Sequence, residues 1–438
     1  GGPVGNAGGY ADRTESAPAQ PAGGADRTPG GTASGSGSRA LGGGSSKLII
    51  ILLVLAAIYY IYSSSGKPDS TGSLQPGTQT STATFVDKGA YAVNTNVSSL
   101  ARAKRTVLLG NGQDKATIMV YMCGTDLEAN GGMATADLQE MLNARISDKV
   151  NIIVETGGAA KWQNSVISNR TNQRYLVTSE GLKLIENNLG RKSMVDPATL
   201  SDFIRYSKAN YPANRYMLVM WDHGGGSLSG YGYDQIFPND GMTLDEIATA
   251  LRNGGCAFDL VGFDACLMAT LETAMVLEPY ADYMIASEEV EPGNGWYYTN
   301  WITALSENTS IATIDLGKKL IDEYVQDVKA KTPQSQATLS LIDLAELKGT
   351  VPASFAAFAS STSALIDKEE YKTVSNARAG TKEFAASSRI NQIDLVHFAQ
   401  NLDTNESKSF ADVLRSCIKY NRTSANITNS NGVSIFFP

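Results

Sequence analysis

From residue 114 onward, short apolar runs alternate with stretches whose apolar residues recur every three or four positions. The runs ATIMVYMC (116–123), VNIIVE (150–155), YMLVMW (216–221), FDLVGF (258–263), DYMIAS (282–287) and ATLSLID (337–343) are continuous and rich in strand-forming residues. Continuity rather than strict alternation is what strands buried on both faces require, so these runs predict a mainly parallel central sheet. Between them TLSDFIRYSKAN, TLDEIATALRN and TIDLGKKLIDEYVQDVKA carry the spacing of amphipathic helices. Strand and helix in turn predict an α/β fold with helices on both faces of the sheet, an αβα sandwich. The closing stretch NGVSIFFP reads as one more strand.

Upstream of residue 114 the pattern changes. Residues 1–46 are dominated by Gly, Ala and Ser and hold almost no large apolar side chains, so they read as a disordered tail. Leu48 to Tyr62 is apolar or aromatic throughout. With its flanks (47–65) it approaches the roughly 20 residues that span a bilayer. It starts far from the first residue, and no small-residue cleavage site precedes the polar stretch after it. These features favour one transmembrane helix, an uncleaved signal anchor, over a signal peptide. Arg39 and Lys47 precede it and Lys67 follows, which places the N-terminus inside and the large domain outside the cell membrane. Residues 66–113, rich in Ser, Thr, Gly and Asn, read as a stalk in which ARAKR exposes Arg102, Lys104 and Arg105. The domain then runs over 114–438. A first residue other than Met and a strand running into Pro438 read as the ends of a piece of a longer protein.

Composition narrows the function. Lys and Arg number 36 against 44 Asp and Glu, a formal charge of −8 without a basic cluster that would neutralise phosphates, so nucleic acid is not the expected partner. Four cysteines, no C-x-x-C pair and only two histidines argue against a zinc site and a disulfide framework. At least one thiol is therefore available for chemistry.

That chemistry concentrates at two strand ends. In MLVMWDHGGGSLSG, His223 follows an apolar run and precedes three glycines; in FDLVGFDACLMAT, Cys266 follows the next apolar run and precedes a helical pattern. Ligand sites of open α/β sheets form beyond the carboxyl ends of strands. A thiol at a helix N-terminus is biased towards thiolate, and an imidazole from the neighbouring strand end can move protons for it. Glycines after the histidine let backbone N–H groups approach an oxyanion. The pair lies 43 positions apart in sequence, which fits one helix and one strand. Taken alone, a buried cysteine is a small hydrophobe and a histidine before glycines is a turn; it is their occurrence at successive strand ends that points to a thiol–imidazole pair. His397, in IDLVHFAQ, has no such companion and reads as structural.

WDHGGG and FDACLMAT resemble the paired motifs of clostripain-like cysteine peptidases, which share the caspase fold with gingipains, legumain and separase. IMVYMCGTDLE, VNIIVETGGA and ASEEVEPGNGW extend the resemblance over roughly 114–438. It implies a caspase-like αβα sandwich and a cysteine endopeptidase acting through a thioacyl-enzyme on protein or peptide substrates. His223 and Cys266 would be catalytic, and the N–H groups of Gly224 and Cys266 would form the oxyanion hole. Asp264 would sit in the pocket for a basic side chain, giving cleavage after Arg or Lys; read by itself, Asp264 is equally a helix N-cap. Glu288, Glu289, Glu291 and Asn294 would wall the pocket. Some relatives use calcium, for which Asp126 and Glu128 are candidates, although no D-x-D-x-D-G loop is present; no cofactor is required by the chemistry. Relatives are also activated by a cut between the catalytic residues. Arg252, on an expected helix, is the one basic residue in that interval, and Arg105 in the stalk is the alternative. Two rivals remain: a catalytically silent surface-binding module, and a thiol transpeptidase on the same fold.

Overall fold

The computed structural model describes residues 92–438 apart from 239, 240 and 369. The expected tail (1–46), the apolar segment (47–65) and the stalk as far as residue 91 lie outside the described residues. Among the described residues no helix is long and apolar enough to cross a membrane.

Among the described residues twelve strands form: β1 (Ala116–Cys123), β2 (Val150–Gly157), β3 (Gln173–Thr178), β4 (Gly181–Glu186), β5 (Arg215–Trp221), β6 (Phe258–Asp264), β7 (Ala281–Ala286), β8 (Thr338–Asp343), β9 (Glu383–Phe384), β10 (Gln392–Asp394), β11 (Ile418–Thr423) and β12 (Ser434–Phe436). Nine make one sheet in the order β11-β8-β7-β6-β5-β1-β2-β3-β4. The five in the middle run parallel, and antiparallel strands extend the sheet at both sides. The six apolar runs are thus β1, β2 and β5–β8, each in place within two residues of the expected bounds, and the sheet is mixed with a parallel centre. The hairpin β3–β4 and the strand β11 carry no continuous apolar run. β4 has an intermediate-to-exposed surface, which the template of a two-sided buried strand does not detect.

Alternate residues of β1 feed two cores. Met119, Tyr121 and Cys123 join the side packed by the helices Pro197–Asn210 and Leu244–Gly254. Ile118, Val120 and Met122 join the side packed by Met133–Leu142, Tyr298–Glu307 and Thr313–Lys331. This two-residue period makes the three layers of the sandwich. A small sheet, β12-β10-β9, is built from the last part of the chain.

The stalk expectation needs correcting over its described part. Asn94 N–H donates to the Lys419 carbonyl, and Arg102 N–H to that of Ala345. Arg102 pairs with Glu278 and Asp282 at 2.6 and 2.7 Å, Lys104 with Asp343 at 2.5 Å, and Arg105 with Glu278 at 3.6 Å. Their side chains are only 19%, 27% and 28% exposed. The segment is a strap on the domain, because buried carboxylates on β7 and β8 need its cations.

Candidate active site

β5 and β6 lie side by side, with Trp221 paired to Asp264. His223 and Cys266 each follow two residues later, so both leave the sheet at its carboxyl edge on neighbouring strands. The loop after β5 is held from within. Buried Asp222 accepts the N–H of His223 (2.5 Å) and of Tyr233 (2.7 Å), and the His223 carbonyl accepts from Gly232 N–H. Asp222 therefore positions backbone rather than the imidazole, and burial pushes its carboxyl up to about 7. Gly224 is required by space: a Cβ there would stand 2.0 Å from the Cys266 carbonyl oxygen.

The imidazole has its partner on β1's side. His223 Nε2 lies 2.7 Å from Asp126 Oδ1, and Asp126 opens the short helix Thr125–Gly131 directly after β1. Asp126 and Glu128 are also the two acids that the sequence offers for calcium. Glu128 is buried and accepts from Thr135 N–H, Thr135 Oγ1 and Gln163 N–H. Among the described residues no group of three or more His, Cys, Asp or Glu has the arrangement of a metal site.

Cys266 sits in a turn, which corrects the expected helix N-terminus: the helix begins at Leu271, capped by Thr270. What reaches the sulfur is a backbone amide, Glu291 N–H at 3.3 Å from Sγ. The same 287–292 segment pairs with the chain after the cysteine, through Leu267 N–H to Glu289 O and Ala269 N–H to Ser287 O. Cys266 is partly exposed while Cys123, Cys256 and Cys417 are buried, and burial raises the thiol pKa of all three, to about 12 for Cys256 and Cys417. The reactive candidate is thus set apart by exposure and by its amide.

Behind the thiol lies a group of carboxylates. Asp264 is 5% exposed, Asp137 2% and Glu291 7%. Asp264 accepts from Tyr298 Oη at 2.7 Å and from Trp296 N–H at 3.2 Å; it caps no helix. Asp137 accepts from Trp221 Nε1 at 2.6 Å. Gly295, at φ +56°, separates the two acids: a Cβ there would stand 2.9 Å from Asp264 and 3.3 Å from Asp137. Burial raises Asp264 to about 7. Burial and then the charge of Asp264 raise Asp137 and Glu291 well above the carboxylate range. Among the described residues no salt bridge joins a Lys or Arg to any of the three, the charge of Lys331 reaching Asp137 only as a minor influence, and the Glu291 carboxyl meets that of Asp264. Buried acids without a paired cation lower their cost by holding protons, and a cation arriving from outside would favour their ionised forms.

Of the remaining candidates, Glu288 is buried against Ser430 and Gly432 N–H, Glu289 holds Ala385 N–H and faces Lys382, and Asn294 bonds Asp327. None of these three belongs to the acidic group. Arg252 ends the Leu244–Gly254 helix, bonded to Thr249. His397 is structural in its contacts, its Nδ1 accepting from Lys382 N–H.

The sequence profile of the clostripain family matches residues 120–436. Clostripain of Hathewaya histolytica is 28% identical over 222 residues, covering 43% of this chain and 41% of that protein, so the match spans less than half of the relative. Two solved structures share the fold. A secreted C11 cysteine protease from Bacteroides thetaiotaomicron, in complex with an irreversible peptide inhibitor, is 20% identical with a TM-score of 0.55, covering 74% of this chain and 92% of its own. An inactive zymogen C11 protease from Parabacteroides distasonis is 19% identical with a TM-score of 0.57, covering 74% and 93%.

Proposed function

Because the chain belongs to the clostripain family of cysteine peptidases, we propose that it is an endopeptidase cutting after Arg or Lys, with Cys266 as nucleophile and His223 as its acid–base partner. The observation that carries the specificity is the uncompensated acidic group of Asp264, Asp137 and Glu291 behind the thiol. A guanidinium or ammonium entering there would draw these acids into their ionised forms and pair with them, a gain absent for neutral side chains.

In this reading the Cys266 thiolate attacks the carbonyl carbon after the basic residue. The N–H groups of Gly224 and Cys266 hold the oxyanion, each donor worth about 3 kcal/mol. Asp126 occupies Nε2 of His223, so Nδ1 handles the protons: it protonates the departing amine and then activates the water that hydrolyses the thioester. No cofactor enters these steps, and chelator should leave the rate unchanged. The proposal includes the segment 47–65 as a membrane anchor with the peptidase domain outside, supported by the apolar run Leu48 to Tyr62; alkaline carbonate extraction of membranes tests that part.

Fluorogenic peptides ending in Arg, Lys, Leu or Asp test the activity. Turnover restricted to the basic pair and lost in Cys266→Ala is the expected result. Silence in every well, before and after brief trypsin treatment, would return the fold to a binding module. A product that appears only with an added amine acceptor would make it a transpeptidase.

A further inference from the structure

Both sites the sequence offered for self-cleavage are poorly placed. Arg252 ends a helix, whereas a protease binds its substrate extended, and Arg105 is tied to Glu278 and Asp282. A third basic residue stands near the nucleophile. Between β9 and β10 the chain makes an exposed excursion of small residues, Ala386 to Ser388, ending in exposed Arg389. Both feet of this loop stand on the chain beside Cys266. Phe384 and Ile390 pack in one apolar cluster with Leu267, Ile427 and Cys266. Gln392 Nε2 donates to the Leu267 carbonyl at 2.9 Å, and Ala385 N–H donates to Glu289, whose carbonyl accepts from Leu267 N–H. The residue on the carboxyl side of Arg389 is therefore itself part of the cluster around the nucleophile.

The loop is also built to open. Ala385, Arg389 and Asn391 hold φ values of +44°, +54° and +58°, a conformation disfavoured for residues with a Cβ. Its own backbone bonds are Ser388 N–H to Ala385 O and Arg389 N–H to Ala386 O. Few bonds and an exposed surface mark a segment that unfolds locally at low cost. Its basic neighbours are occupied, Arg378 by Glu383 and the Phe437 carbonyl, Lys382 by Glu289. Arg389 forms no ion pair among the described residues.

We infer that the Arg389–Ile390 peptide bond is a self-processing site. The inference rests on the proposed specificity and adds its first protein target. The Cys266 thiolate adds to the Arg389 carbonyl, the C–N bond breaks, and the new Ile390 amine leaves with a proton from His223. Water then hydrolyses the thioester, leaving an Arg389 carboxylate and a regenerated thiol. The product is a two-chain enzyme. The fragment from Ile390 to Pro438 stays in place because it supplies β11 to the main sheet and buries Phe398, Phe410, Leu414 and Ile435.

The test incubates purified full-length protein and follows it by intact mass, with the basic fluorogenic peptide as a parallel assay. Wild type should convert to two species, one beginning at Ile390, that co-elute in gel filtration. Cys266→Ala should stay uncut, and Arg389→Gln should stay uncut at this bond while hydrolysing the peptide at the wild-type rate. Wild type that turns over peptide yet keeps the 389–390 bond intact would overturn the inference and leave the peptidase reading standing. The same cut in Cys266→Ala would assign it to another protease and overturn the inference as well. Loss of both activities would remove the peptidase reading and the processing site with it.

Discussion

At the scale of single residues, burial without a cation governs Asp264. Its carboxyl is raised from the ordinary value near 4 to about 7 by burial. The folded protein therefore binds this proton more tightly than the unfolded chain does. The contribution to stability is fully present below about pH 4 and is lost as pH rises towards 7. A cationic ligand selects the ionised form and reverses that preference. A small amidinium compound such as benzamidine, titrated into Cys266→Ala so that no thiol chemistry intervenes, should bind more tightly as pH rises from 5.5 to 8, by up to about tenfold per pH unit below 7. Asp264→Asn should bind weakly at every pH, and a flat profile in the parent would remove Asp264 from the cation pocket. In the proposed mechanism Asp126 acts one step back, through His223. Replacing it with Asn should lower kcat about a hundredfold and shift the pH profile of iodoacetamide alkylation of Cys266, while KM for the basic peptide moves little. An unchanged alkylation profile would make the 2.7 Å contact incidental to catalysis.

At the scale of elements, strand order decides what a sequence can disclose. His223, Cys266 and Asp264 are readable because each lies at or just past the end of a continuous apolar run, with glycines or a helical pattern following. Asp126 and Asp137 are not, because their neighbours are set by β1 lying between β5 and β2, which no local pattern reveals. The helix expected at Cys266 fails for a local reason: Leu267 adopts φ +67°, so the chain turns and Thr270 becomes the cap. The strap is legible only as a Ser- and Gly-rich stretch, since its role comes from Asp282 and Asp343 far along the chain. Its contribution is measurable. Arg102 serves Glu278 and Asp282, the latter 1% exposed, and Arg102→Ala leaves that carboxylate without its closest cation. Breaking such a pair costs about 3 kcal/mol, so urea unfolding should show a lower midpoint at unchanged slope, with peptidase activity retained at low denaturant. An unchanged midpoint would make the strap a passenger.

At the scale of the whole molecule, the site is assembled from the length of the described chain. Asp126 comes from near its start, His223 and Cys266 from the middle, and the braces behind Cys266 from its end. Ser434 donates both its N–H and its hydroxyl to the Ala269 carbonyl. Ser430 and Gly432 N–H satisfy buried Glu288, next to the residues that pair with Leu267 and with the thiol. The nine-stranded sheet is already complete at Thr423, where β11 ends. A chain ending there should therefore keep the far-ultraviolet signature of the sandwich and unfold cooperatively at a lower temperature. It should nevertheless lose activity, because Glu288 is left buried without donors and the 287–292 segment loses its brace. A displacement of about 1 Å at a catalytic group costs about a hundredfold in rate, and kcat/KM on the basic peptide should fall by at least that much. Activity within twofold of the full chain would show that the central strands alone hold the nucleophile in place, and that the small C-terminal sheet serves stability only.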